Sequence, residues 1–177
     1  MREKDTPSKA KILLFNTQDK QSIFRFDVQL LCGPLTDSFI ESHPEPPSRT
    51  IDIKGTQTLD DLHYAVFKAF DREDYHMYEF QIGGKQPQAR KSVRYGIPDD
   101  MSPEVRNALE TTIASLNLKE KQTFFYWFDF GDDWWHTVKL LALDPEPKGK
   151  GRYPRIVERA GESPPQYADW DAEAYDL

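Results

Sequence analysis

The chain has 177 residues, enough for one domain with a sizeable core, and its eleven Phe, eight Tyr and four Trp supply large apolar surfaces. Its single cysteine, Cys32, excludes an internal disulfide and a zinc site made of several cysteines. The net charge is −7 and we find no dense patch of Lys and Arg, so nucleic-acid binding is not expected. Neither a signal peptide nor a membrane span is indicated, which predicts a cytoplasmic protein without a membrane partner.

The distribution of charge and apolar residues suggests three segments. Residues 1–20 mix charges without a clear period and are predicted to form a mobile N-terminal arm. Residues 21–161 contain all the periodic stretches and are predicted to form a single domain. Residues 162–177 carry five acidic and no basic side chains, which predicts a solvated acidic tail.

The first third of that domain shows strand periodicity on both sides of a loop. Ile23–Leu31 alternates apolar and polar residues, the pattern of a half-buried strand. Cys32–Ser48 contains four prolines and is predicted to be a loop, with Cys32 itself a small buried apolar residue. Arg49–Ile53 is predicted to form a second, short strand.

The middle of the chain is predicted to contain two helices separated by a strand. Thr58 and Asp61 form a capping-box pattern ahead of an amphipathic helix over Leu59–Phe70. His76–Ile82 alternates as a strand, and residues 83–101 form a long polar loop. A Ser-Pro-Glu helix start then predicts a second helix over residues 102–117.

A hairpin is the strongest local signal in the sequence. Gln122–Phe130 and Trp134–Leu143 are strand-like and flank a Gly-Asp-Asp turn. The whole order of elements predicts an α+β fold of the β-grasp, ubiquitin-like kind. In that fold, a mixed sheet carries a covering helix, a second helix and the C-terminal hairpin.

The best chemical cluster lies at this hairpin, where Asp129 and Asp132 approach His136. A carboxylate and an imidazole together can bind a divalent metal or act in general acid–base catalysis. An even-numbered turn places Trp127 opposite His136, with Asp129 diagonal to it on the same face. A three-residue turn places Phe128 opposite His136 and puts Asp129 and His136 on opposite faces.

Two further readings of this region stay open. His76, Asp129 and His136 are the candidate metal ligands if the two imidazoles converge, although we expect no metal and no cofactor. The three tryptophans at positions 127, 134 and 135 can form a stacking platform for a ligand, or cross-strand pairs that stabilise the sheet.

Four motifs in order give the chain a family resemblance. They are Thr58-Leu59-Asp60-Asp61-Leu62-His63, His76-Met77-Tyr78-Glu79-Phe80, the run from Phe125 to His136 that includes Phe-Asp-Phe-Gly-Asp-Asp-Trp, and Tyr153-Pro154-Arg155 with Ser163-Pro164-Pro165. Over roughly residues 23–166 the sequence resembles the plasmid pRiA4b ORF-3-like domain family. The resemblance implies a β-grasp-like fold and an association with mobile elements, and it implies no established biochemical role.

The residues and the resemblance together favour a non-catalytic binding or interaction module whose partner is a protein or a small molecule. The main alternative is a metal-assisted enzyme that uses Asp129, Asp132 and His136. A weaker alternative is an accessory protein that binds nucleic acid in a mobile element.

Overall fold

A computed structural model describes residues 22–146 and 150–169 of the chain. The arm predicted for residues 1–20 and the end of the predicted tail, residues 170–177, lie outside the described residues. Within the described part, no helix combines the length and the apolar character that a membrane crossing requires.

Eight strands form one sheet, in the spatial order β5-β4-β3-β6-β7-β1-β2-β8. Every pair of neighbouring strands is antiparallel except β4 and β5, which are parallel. The strands are Ile23–Cys32 (β1), Ser48–Lys54 (β2), Tyr78–Ile82 (β3), Val93–Gly96 (β4), Arg106–Asn107 (β5), Thr123–Phe128 (β6), Trp134–Leu143 (β7) and Arg155–Ala160 (β8). Two short α-helices, Asp37–Ser42 (α1) and Leu59–Ala69 (α2), and a 3₁₀ turn at Ile113–Leu116 complete the described elements.

The β-grasp prediction is wrong, and the fold is a sheet-rich α+β arrangement instead. The sequence predicted five strands, and the sheet contains three more. Two of them, β4 and β5, extend one edge from segments predicted to be a loop and a helix, and β8 extends the other edge from a segment predicted to be irregular. Short strands with few apolar residues carry too weak a period to be recognised before their neighbours are known.

The predicted helix over residues 102–117 is also wrong, because its backbone bonds to other segments. The amide of Ala108 donates to the carbonyl of Gly96 on β4, at 2.8 Å. The side-chain oxygen of Asn107 accepts from the amide of Leu109 at 3.0 Å, a local turn that competes with helix formation. Leu109, which the helical period placed in the core, is half exposed.

The segment between β1 and β2 differs from its prediction as well. The proline-rich stretch predicted to be a loop contains α1, whose first turn is capped by the side chain of Thr36. Cys32, predicted to be buried, is exposed at the end of β1.

The core lies on the sheet face that contacts α2. Alternation along β1, β6 and β7 turns one set of side chains to this face, among them Phe26, Tyr126 and Val138, and all three are buried. The predicted capping box of α2 is confirmed by its two reciprocal bonds. The His63 ring of α2 stacks on Tyr78 of β3, with ring centroids 3.7 Å apart.

A buried arginine joins the sheet to the C-terminal segment. Arg49 of β2 is almost fully buried, and its guanidinium donates to the carbonyls of Ala69, Ala160 and Gly161. A further bond of 2.6 Å reaches the hydroxyl of Ser163. These bonds fix β8 and the residues after it against the end of α2.

Candidate functional site

The β6–β7 hairpin has a register that neither predicted alternative contains. Tyr126 pairs with His136 and Phe128 with Trp134, so the turn comprises residues 129–133. Asp129 and Asp133 both have positive φ, 57° and 55°, so neither residue continues the extended backbone of a strand. One oxygen of the Asp129 carboxylate accepts from the amides of Gly131 and Asp132, so this side chain shapes the turn.

This register separates the three tryptophans. Trp134 and His136 point to the core face beside Tyr126, and both are buried. Trp127 and Trp135 pair across the strands on the opposite face. The platform of three tryptophans predicted from the sequence is therefore a pair, with Trp134 in the core.

His136 occupies an enclosed aromatic environment. It is 1% exposed, and its ring meets Phe70 edge to face, with centroids 4.7 Å apart. Neither ring nitrogen makes a hydrogen bond of good geometry among the described residues, and backbone groups of Tyr126 and Trp134 near the ring favour its protonation only weakly. Burial, and secondarily the positive charge of Arg72, lower the pKa of His136 to about 3. The imidazole is therefore neutral at physiological pH, and the described residues enclose it.

Arg72 is the charged residue of this interior, and the sequence analysis missed it. Its guanidinium carbon lies 3.7 Å from the centroid of the Trp134 ring, and one of its nitrogens donates to the carbonyl of Pro164 at 3.2 Å. Burial lowers the pKa of Arg72 to about 10, so it stays charged at neutral pH. Five nitrogens of Arg72, Trp134 and His136 lack a partner among the described residues.

The structure brings two of the candidate metal ligands together without the third. His76 Nε2 lies 3.4 Å from a carboxylate oxygen of Asp129, and the hydroxyl of Tyr167 lies 3.1 Å from the same nitrogen. His136 does not join them. In the part of the chain that the structure describes, no three His, Cys, Asp or Glu side chains are grouped as metal ligands.

The C-terminal segment contacts this cluster through a buried glutamine. The side-chain oxygen of Gln166 accepts from the amides of Glu73 and Asp74, and its nitrogen donates to the carbonyl of Asp74. Tyr167 donates from its hydroxyl to the carboxylate of Asp74 at 3.0 Å. Tyr167 therefore docks on the loop after α2, within a segment that was predicted to be a solvated tail.

On the opposite sheet face, three aromatic rings form a stack. The rings of Trp127 and Trp135 are nearly parallel, 9° apart, with centroids separated by 4.9 Å. Phe130 of the turn stacks on Trp127 at 4.1 Å. The indole nitrogen of Trp127 donates to Asp133 at 2.8 Å, which fixes the orientation of the ring.

Beside this stack lies a pocket of about 370 Å³, here called the Trp127 pocket. Its walls come from β3, β4, β6 and the β3–β4 loop. The polar and aromatic residues that line it are Gln81, Gln88, Arg90, Ser92, Arg94 and Trp127.

The loop that walls this pocket is locally basic, which the sequence analysis missed by judging charge over longer stretches. Residues 83–94 contain four cations, Lys85, Arg90, Lys91 and Arg94, and no acid. Arg94 is balanced, since it bonds both carboxylate oxygens of the buried Glu79 at 2.9 Å and one of Glu104 at 2.6 Å. We find no ion pair for Arg90 within residues 22–146 and 150–169.

Close backbone contacts fix the loop over the pocket. The amide of Gln88 donates to the side-chain oxygen of Gln81 at 2.6 Å, and the amide of Ser92 donates to the carbonyl of Ala89 at 2.9 Å. A Cβ on Gly84 would lie 2.3 Å from the hydroxyl of Ser92, so only glycine permits this approach. That hydroxyl is shielded from solvent and has no hydrogen-bond partner among the described residues.

A family model and a known protein match the chain. A family model described as plasmid pRiA4b ORF-3-like protein matches residues 40–170. An uncharacterized protein of Sinorhizobium fredii, y4hQ, is 27% identical over 129 residues, which are 70% of this chain and 60% of that relative. The chain thus spans less than two thirds of the relative's length.

A solved structure shows the same fold. The crystal structure of MM3350, a protein of unknown function from Methanosarcina mazei Go1, superposes with a TM-score of 0.61 at 22% sequence identity. The match covers 82% of this chain and 73% of that one. At this identity the likeness concerns the fold alone.

Proposed function

The chain belongs to the plasmid pRiA4b ORF-3-like protein family, and from that premise we propose that it is a non-catalytic, cytoplasmic binding module. Its site is the Trp127 pocket, and its ligand is a small molecule, or the end of a larger one, that carries a planar group. The names of its relatives state no activity, so the proposal depends on the geometry of the pocket.

The observation that carries the proposal is the combination of an aromatic wall with polar groups in one concave site. The volume falls within the range of about 300–1,000 Å³ that is usual for ligand pockets. Trp127 is the middle ring of the aromatic stack, so the part that Trp135 and Phe130 leave uncovered offers an aromatic edge to a planar group. Its bond to Asp133 holds the ring in place. Ser92 and Arg90 offer polar contacts that can orient a ligand.

The chemistry around the pocket favours binding over catalysis. The described residues that line it include no His, Cys, Asp or Glu, the side chains that most often transfer protons or act as nucleophiles. Asp129 supports the turn and His136 lies in the core, so two of the three residues of the enzyme alternative are used in structural contacts.

Nuclear magnetic resonance of the full chain tests this proposal. The indole N–H signals of the four tryptophans are followed while a library of small planar compounds (neutral, anionic and cationic) is added. We expect a subset to shift the Trp127 signal, assigned with Trp127→Phe, and to lose affinity at least tenfold in Trp127→Leu. Tyr75→Ala, which removes an exposed ring packed on Phe67 of α2, is the control and should bind normally.

Two results would contradict the proposal. The first is a library in which no compound of any charge class shifts Trp127. The second is binding that Tyr75→Ala weakens as much as Trp127→Leu does.

A further inference from the structure

Resting on this binding function, we propose that the ligand presents an anionic oxygen group, a carboxylate or a phosphate, to Arg90 and Ser92 of the Trp127 pocket. The planar part of the same ligand lies against Trp127. This assignment names the chemical class of the ligand, which the shape of the pocket alone leaves open.

The surroundings of the Trp127 pocket are locally positive. The pocket is walled by a loop, residues 83–92, with three cations and no acid, and by Arg94 of β4, in a chain whose net charge is −7. Arg94 is already paired with two carboxylates, which leaves Arg90 as the guanidinium available to a ligand. Guanidinium groups bind carboxylate and phosphate oxygens with two parallel hydrogen bonds, a geometry that selects planar or tetrahedral oxyanions.

The hydroxyl of Ser92 has no hydrogen-bond partner among the described residues. A shielded hydroxyl without a partner is unfavourable, by about 1–3 kcal/mol in typical cases, and Ser92 carries one in the wall of the pocket. Because this hydroxyl is shielded in the unliganded chain, an oxyanion bound at Arg90 would accept a bond from it once the side chain turns toward the pocket.

The side-chain amide of Gln81, which is buried in the pocket wall, already has hydrogen-bond partners within the protein. The nitrogen of Gln81 donates to Glu79 and its oxygen accepts from the Gln88 amide. The groups left for a ligand are therefore dominated by donors, which suits a ligand rich in acceptors.

Matched probes that differ only in the group attached to a benzene ring test the inference. Benzoate, phenyl phosphate, benzamide and benzylammonium are titrated into the full chain by calorimetry, with Trp127 followed by magnetic resonance. We expect benzoate or phenyl phosphate to bind at least tenfold more tightly than benzamide, and the benzylammonium affinity to be the weakest. The two anions together distinguish a carboxylate from a phosphate ligand, and their affinity should fall as salt is added.

Three variants separate recognition from structure. Arg90→Gln should weaken the anions about tenfold and leave benzamide unchanged, because the side chain is exposed and supports no described contact. Ser92→Ala should weaken them several-fold while leaving the melting temperature unchanged or slightly higher, since it deletes an unpartnered hydroxyl. Arg152→Gln, an exposed arginine outside the pocket, is the control and should have no effect.

The failures of the two proposals are distinguishable. If benzamide or benzylammonium binds at Trp127 as tightly as the anions, the anion inference is wrong and the binding function stands. The same holds if Arg90→Gln does not change the affinity for the anions. If no probe shifts Trp127 while other planar compounds of the library do, the anion inference is wrong, and if no compound of either set does, both proposals are wrong. Binding of a single-stranded oligonucleotide with none of the small anions would also overturn the inference.

Discussion

The two faces of the β6–β7 hairpin use the same residue types for different purposes. On one face, Trp134 and His136 are enclosed with Tyr126, Phe70 and the guanidinium of Arg72. On the other face, Trp127 and Trp135 stack beside an open pocket walled by a basic loop. Residues adjacent in sequence therefore belong to the core or to a candidate ligand site according to the alternation of the strand.

Because one face of the hairpin is core and the other lies beside the pocket, only some residues of the family motif around Trp134 are candidates for a functional role. The Trp134-Trp135-His136 run contains two buried core side chains and one ring of the stack, all within three positions. The core face should respond to substitution through stability, and the pocket face through ligand binding. The following predictions test that division, beginning with the largest expected change.

The largest effect should come from His136→Ala. The substitution leaves a cavity beside Phe70 and Tyr126, and we expect the free energy of unfolding to fall by about 2–4 kcal/mol. Ligand binding at Trp127 should not change. Urea denaturation followed by circular dichroism measures the first quantity, and the probe titration measures the second.

A matched pair of variants sharpens this result. His136→Leu keeps most of the volume and removes two nitrogens without partners, so it should cost less than about 1.5 kcal/mol. Thr137→Ala, the next residue on the opposite face, should change stability by less than about 1 kcal/mol. Loss of binding in His136→Ala at unchanged stability would show that the core face carries function.

The next effect is a dependence of stability on pH. Burial lowers the pKa values of both His63 and His136 to about 3 in the folded chain, below the ordinary value of 6.5. Between pH 6.5 and 3 the unfolded chain therefore binds more protons than the folded chain, and stability must fall as the pH falls. Each histidine should contribute a loss of about 2 kcal/mol between pH 7 and pH 5.

Denaturation curves at pH 7, 6 and 5 measure this slope. His136→Leu should remove about half of it, while Thr137→Ala, which alters no titratable group, should leave the slope unchanged. An identical slope in His136→Leu would mean that the buried imidazoles do not determine the pH response.

A smaller effect is expected from Gln166→Ala. This change removes three hydrogen bonds to the loop after α2 and leaves the amides of Glu73 and Asp74 without their acceptor. We expect a loss of about 1–3 kcal/mol. Gln166→Glu, which keeps the accepting oxygens and loses the donor, should lie between the wild type and Gln166→Ala.

The same variant tests the predicted domain boundary at residue 161. That boundary implies that truncation after Gly161 leaves the fold intact. If Gln166→Ala and the truncated chain both unfold at the denaturant concentration of the full chain, the boundary holds. If both are destabilised, the segment up to Tyr167 belongs to the domain.

The smallest change in stability should occur at Asp133, on the pocket face. Asp133→Asn retains an acceptor for the Trp127 indole, and Asp133→Gly removes it while relieving the positive φ. Both should alter the free energy of unfolding by less than about 1 kcal/mol. Only the glycine variant should weaken probe binding several-fold, because the ring loses the bond that orients it. A drop in stability comparable with that of His136→Ala would place Trp127 in the structural core.

Strong local patterns predicted parts of this structure well. The capping box and apolar spacing located α2 within one residue of its end, and alternation located β1 and the hairpin strands. These segments carry information in their own sequence: a cap with its partner three residues later, or a face of large apolar side chains.

Other features depend on distant contacts and could not be predicted in the same way. The turn at residues 129–133 is five residues long because Asp129 adopts a positive φ and its carboxylate accepts from the amides of Gly131 and Asp132, which residue types alone do not indicate. β8 forms because β2 offers it an edge. The interior position of Arg72 depends on Trp134 and on the carbonyl of Pro164, far along the chain. The basic loop, by contrast, was visible in the sequence over a window of twelve residues.

The two outermost strands have a consequence for aggregation. An open sheet exposes unpaired amides and carbonyls at each edge, and long apolar edges recruit strands from other molecules. Here one edge is β5, only two residues long, and the other is β8, which carries the exposed charges Glu158 and Arg159. Proteolysis before Arg155 that detached β8 would uncover the backbone amides and carbonyls along the edge of β2. A nicked chain should therefore form oligomers detectable by light scattering, so β8 protects the solubility of the protein.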